Sequence, residues 1–67
     1  MTEADFNRLL AAAKSGHAPA QSAVGLCCAR GEGTPLDMVS AVEWFRRAAE
    51  QGHAHAQFAL AVCHHRG

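Results

Sequence analysis

Cys27, Cys28, Cys63, His64 and His65 are the side chains of this 67-residue chain best equipped to do chemistry. Thiolate and imidazole are both zinc ligands, and a structural zinc takes four such groups in a tetrahedron. Spacing decides how many of them one helix could supply. Only residues three or four apart share a helix face, and no Cys/His pair in the chain has either separation. Neighbouring side chains point about 100° apart and cannot grip one ion. A metal site would have to bridge two helices, using Cys28 with His64 or Cys27 with Cys63. Against it stands the habit of cysteine as a small apolar core residue. The vicinal Cys27-Cys28 pair could also bind a thiophilic ion or be redox-active. Catalysis is less well supplied. A Cys28/His64 nucleophile pair has no orienting acid and no oxyanion-hole motif beside it. Ser15 and Ser40 lack a base at a useful spacing, and Gly31-x-Gly33 lacks the lysine of a phosphate loop. The chain is expected not to be an enzyme and to need no cofactor.

The elements that would position these residues read from apolar spacing. Phe6, Leu9, Leu10 and Ala13 fall at i, i+3, i+4, i+7 and predict a helix over 3–15, capped by Thr2 and ended by Gly16. Ala20, Ala23, Val24 and Cys27 repeat that spacing over 18–30, with Pro19 tolerated in the first turn. Gly31-Glu32-Gly33-Thr34-Pro35 breaks the chain. Asp37 then caps a third helix over 38–51 with the stripe Met38, Ala41, Val42, Phe45, Ala48 and Ala49. Gly52 ends it, and a fourth helix covers 54–66. No stretch alternates as a strand would. Trp44, Phe45, Val24, Leu60, Leu9 and Leu10 are the expected core.

The chain also repeats itself. Of the 20 positions from 12 to 31, 11 recur identically 36 residues later, including Gly16/Gly52, His17/His53, Gln21/Gln57 and Cys27/Cys63. A repeat of this length marks a helical solenoid, whose units bury their faces only against neighbours. Zero formal net charge and a pI near 7 argue against nucleic-acid partners. No stretch approaches the roughly 20 apolar residues of a membrane span. The acidic, polar start is unlike a secretory signal. Three cysteines, two of them adjacent, read as thiols in a reducing cytoplasm.

Ala20-Gln21-x-x-Val24-Gly25-x-x-Cys28-x-x-Gly31-x-Gly33, followed by Asp37-x-x-x-Ala41-x-x-Trp44-Phe45-x-x-Ala48-Ala49-x-x-Gly52, resembles the Sel1-like repeat. The resemblance covers roughly residues 12–67. It implies an all-α fold, a short right-handed α-α superhelix of the tetratricopeptide-like kind with four antiparallel helices. Ala20, Gly25 and Ala41 then let helices approach closely. The chain departs from the pattern at Cys28 and His64, where the family usually has tyrosine, and at Ala61, which matches Gly25. Residues 1–16 become an N-terminal capping helix, 17–52 a complete repeat, and 53–67 the first helix of an incomplete one.

The resemblance also implies a function: a protein-protein interaction module, an adaptor or scaffold. In this class the first helix of each hairpin lines the concave face. That places Ser22, Leu26, Ala29 and Arg30 beside His55, Phe58, Val62, His65 and Arg66, an apolar centre with a basic edge suited to a peptide or partner helix. Phe58-Ala59-Leu60-Ala61-Val62-Cys63 is apolar all round and expects cover on every side. A partner protein or a homodimer through this helix would supply it. The alternative function is a metal- or redox-responsive helical protein using Cys28, Cys63 and His64.

Overall fold

The computed structural model describes residues 2–66, with the side chains of 63–66 outside the description. Four helices follow in order: α1 (Glu3–Lys14), α2 (Ala18–Arg30), α3 (Met38–Glu50) and α4 (Ala54–Arg66). Each packs on its neighbour in sequence, most extensively α2 on α3. No strand occurs among the described residues. The expected boundaries hold to within one residue.

Local chemistry explains each boundary. At the start of α1, Thr2 and Asp5 form a reciprocal box: the Asp5 N–H donates to Thr2 Oγ1 at 3.2 Å, and the Thr2 N–H donates to Asp5 Oδ2 at 3.3 Å. At α3, the Asp37 carboxylate accepts from the Val39 and Ser40 N–H groups at 3.1 and 3.2 Å, and from Ser40 Oγ at 2.8 Å. These bonds, the Ser40 hydroxyl foremost, hold its carboxyl below the usual carboxylate range. Helices α1 and α3 end alike. Gly16 and Gly52 take positive φ, at 102° and 83°. Their N–H groups donate to Ala13 and Ala49, while those of His17 and His53 donate to Ala12 and Ala48. Both are Schellman turns, built from the same residues 36 positions apart.

A side-chain bond fixes each turn to the helix that follows. Gln21 Nε2 in α2 donates to the Ala13 carbonyl at the end of α1, at 3.0 Å. Gln57 Nε2 in α4 donates to the Ala49 carbonyl at the end of α3, at 3.2 Å. The first stitch is buried and receives a further bond from Gln51 Nε2 to Gln21 Oε1 at 2.8 Å; the second is exposed.

The core sits between α1, α2 and α3, where Phe45 and Val24 are the largest fully buried side chains. Helix α2 is flanked on both sides and buries seven residues, Gly25 among them. A Cβ built on Gly25 would lie 2.6 Å from Phe45 Cε1 and 2.7 Å from Cδ1, closer than packed atoms approach. Small residues Ala13, Ala20, Ala41, Ala48 and Ala56 are likewise almost fully buried, which permits short interaxial distances. Trp44, Leu9, Leu10 and Leu60 do not reach the centre; they are partly buried around it. The Trp44 ring instead lies 4.8 Å beneath the Arg47 guanidinium, a cation–π pair at the core's edge. The outward residues of α1, namely Glu3, Asn7, Arg8, Ala11 and Lys14, are exposed and mainly polar.

Three outcomes follow for stability. Gly25→Ala gains about 1 kcal/mol of helix propensity, yet the clash with a fully buried ring reverses the sign to a net loss of about 1–3 kcal/mol. Chemical denaturation checks it, and Phe45→Leu in the same chain recovers part of the loss. Gln21→Leu removes a buried bond to the Ala13 carbonyl, which keeps the Gly16 N–H, together with the acceptor of Gln51 Nε2, and costs about 1–2 kcal/mol, whereas Gln57→Leu, exposed, stays within about 0.5 kcal/mol. For the acid limb the sign is fixed by Asp37. Its folded pKa is depressed, so its stabilisation is complete above the ordinary carboxylate value near about 4 and is lost as pH falls through the lower folded value. Asp37→Asn flattens that part of the melting-temperature profile.

Candidate functional site

Helices α2, α3 and α4 enclose an apolar groove of about 650 Å³. That is the size range of sites that engulf several side chains. Helix α2 contributes Leu26, Ala29 and Arg30, and α4 contributes His55, Phe58, Ala59 and Val62. These include most of the sequence-derived binding face. Phe58 is the most conspicuous, with 69% of its surface exposed, and Val62 one helical turn further on is exposed as well. An aromatic side chain left this bare on a groove wall is the kind of group whose burial dominates an interface.

Ser22 does not belong to the face. It is only 3% exposed and does not line the groove. Its position on α2, four residues before Leu26, suggests one continuous outer stripe. Because α2 is covered by α1 on one flank and α3 on the other, that stripe runs inward at its N-terminal end. His65 and Arg66 fall outside the described side chains.

A third wall was not foreseen. Met38, Val42 and Phe45 of α3 also line the groove. The signal was present in the α3 stripe, where Met38 and Val42 alternate with the buried Ala41 and Phe45. Read as core alone, it hides a second role. Phe45 is the floor, at 1% exposure, while Met38 stands 47% exposed at the rim. Met38 and Val42 continue into a shallower hollow with Val39, Glu43 and Arg46.

The electrostatics of the groove are simple. Arg30 and His55 are its ionisable lining residues among those described. Arg30 Nη1 stands 3.9 Å from Glu32 Oε1 with both side chains well exposed, a pair that water screens almost completely. The His55 ring meets the His53 ring edge-on, with centroids 6.3 Å apart.

The cysteines lie on the other side of the question. Cys27 and Cys28 are both buried in the core beside Val24. Burial pushes both thiols up; the charge of Glu32 adds to it at Cys27 and that of Asp37 at Cys28. Such thiols stay protonated at neutral pH and are poor ligands and nucleophiles. Among the described residues no three His, Cys, Asp or Glu side chains converge to hold a metal ion. The side chains of Cys63 and His64, needed for the bridging site, lie outside the description. No helix among the described residues is long and apolar enough to cross a membrane.

No curated protein and no solved structure matches the chain. A family model does: the Sel1 repeat matches residues 18–53 and again 54–67. Sel1 repeats are generally protein-interaction modules, and the family is typically non-catalytic. The matched residues make up most of the chain, and the Schellman turns and glutamine stitches recur at the 36-residue spacing of its internal repeat. The chain belongs to the Sel1 repeat family.

Proposed function

We propose that this protein is an adaptor module that docks a peptide or a partner helix in the groove between α2, α3 and α4. The exposure of Phe58 above a floor made by Phe45 carries the reading. Leu26, Val62 and Met38 surround it, so one apolar side chain of a ligand would contact three helices at once. Transfer of such surface from water is worth about 25 cal/mol per Å², before the ordering costs of association are subtracted. Arg30 and His55 form the polar edge that orients the ligand.

Shape favours a segment over a second copy. A groove is concave, and two concave faces related by a two-fold axis leave a void where a helix or strand would fill it. Residues 1–16 act as the cap of the module, since the outward face of α1 is mainly polar, as terminal repeat faces are. Residues 17–52 form the complete hairpin, and 53–67 add the wall that carries Phe58.

Selection from a phage-displayed library of random dodecapeptides tests the groove directly. Selected peptides are expected to carry spaced apolar residues. Their affinity falls at least about tenfold in Phe58→Ser, a loss of about 1.4 kcal/mol, but less than about twofold in Val39→Ser, an exposed apolar residue outside the groove. Equal losses in the two variants would refute the groove. So would the absence of any enriched peptide together with a concentration-dependent dimer, abolished by Phe58→Ser, in sedimentation.

A further inference from the structure

We infer that the segment docked in the groove is acidic: a short amphipathic stretch whose apolar face is flanked by Asp or Glu. The inference rests on the groove being a docking site and adds the chemistry of its occupant. It starts from the sign of the lining. Among the described residues no carboxylate lines the groove, and the two ionisable groups that do, Arg30 and His55, are both bases. They stand on opposite walls, Arg30 in the last turn of α2 and His55 in the first turn of α4. A ligand lying between them meets basic groups on either side of its apolar anchor.

The asymmetry reaches beyond the groove. None of the six Asp and Glu residues follows Glu50, whereas four of the five histidines and Arg66 do. The helix that forms the outer wall therefore offers no carboxylate of its own. A second copy apposed through α4 would bring no carboxylate of that helix to Arg30. Like charges facing across an interface cost affinity, and complementary charges set partner choice and encounter rate. On α3, by contrast, Glu43 and Arg46 share the adjacent hollow and offset each other. Glu32 stands 3.9 Å from Arg30 in an exposed and weakly held pair, which a ligand carboxylate can displace. Guanidinium accepts a carboxylate through two parallel N–H donors, so Arg30 also supplies orientation.

Three synthetic peptides of about 14 residues test this, each long enough for about four helical turns. They share Leu and Phe at i, i+3, i+4, i+7 and differ only in carrying Glu, Gln or Lys between. Fluorescence anisotropy gives the dissociation constant of each for the intact protein, at about 20 mM and about 500 mM salt. The Glu peptide is expected to bind at least about tenfold more tightly than the Lys peptide at low salt, with Gln between them. That gap closes to within about twofold at high salt. Arg30→Gln narrows it about threefold while the Gln peptide binds as before, which separates charge from packing. Equal affinities for all three peptides, or preference for Lys, would overturn the acidic partner and leave the docking groove standing. If none of the three binds at either salt, both readings fall together.

Discussion

The spacing of α2 and α3 rests on one missing carbon. Gly25 leaves room that the Phe45 ring fills, at a distance where a Cβ would collide with it. Helix backbones separated by a glycine and a ring edge lie closer than two ordinary side chains allow. Everything above that contact inherits its geometry. Val24, Cys28 and Ala41 close around it to form the core, and Phe45 itself is the floor of the groove. Fold and proposed site thus share a residue, and loosening one deforms the other. The cost of a glycine inside a helix, about 1 kcal/mol against alanine, is offset by the packing it admits.

A second constraint acts along the chain. At 12–21 and at 48–57 the same residues build a left-handed glycine turn and then a glutamine that reaches back eight positions to a helix-end carbonyl. The last carbonyls of a helix lack partners within it, and here the next helix provides one. The stitch therefore orients α2 on α1 and α4 on α3 rather than merely ending the earlier helix. Its two copies differ in depth. Gln21 is enclosed and linked onward to Gln51, while Gln57 faces solvent. The difference follows from position in the stack, since α2 has neighbours on two sides and α4 packs chiefly on α3.

Helix limits were legible because capping is local. Thr2, Asp37, Gly16 and Gly52 each act within a few residues of their own position, and sequence spacing encodes that directly. Gly25 was legible as a site of close approach, though not which ring would meet it. What escaped the sequence depends on how many neighbours a helix has. Ser22 looks like a surface residue on a helical wheel and is buried because α2 lies between two others. Trp44 looks like core and sits at its margin, because the adjacent Phe45 takes the inward direction and side chains one apart diverge by about 100°. Met38 and Val42 were read for packing alone, although an apolar stripe wider than one contact has surface left for a groove. The glutamine stitch was visible only as a repeated letter, since its partner is a backbone carbonyl and carries no sequence signal.

Helices α1 and α4 meet water on different terms. Helix α1 turns Glu3, Asn7, Arg8 and Lys14 outward, so its exposed face has little to gain from cover. Helix α4 turns out Phe58 and Val62 and is held mainly by α3 and an exposed glutamine bond. An element with few buried contacts opens locally at a low free energy, and the wall that carries Phe58 packs chiefly on one neighbour. A ligand in the groove would contact α2, α3 and α4 together, and its binding energy would add to the stability of the folded state by mass action. Small domains have net stabilities of roughly 5 kcal/mol, against which such an addition is substantial. Occupancy and integrity of α4 are on this account a single equilibrium.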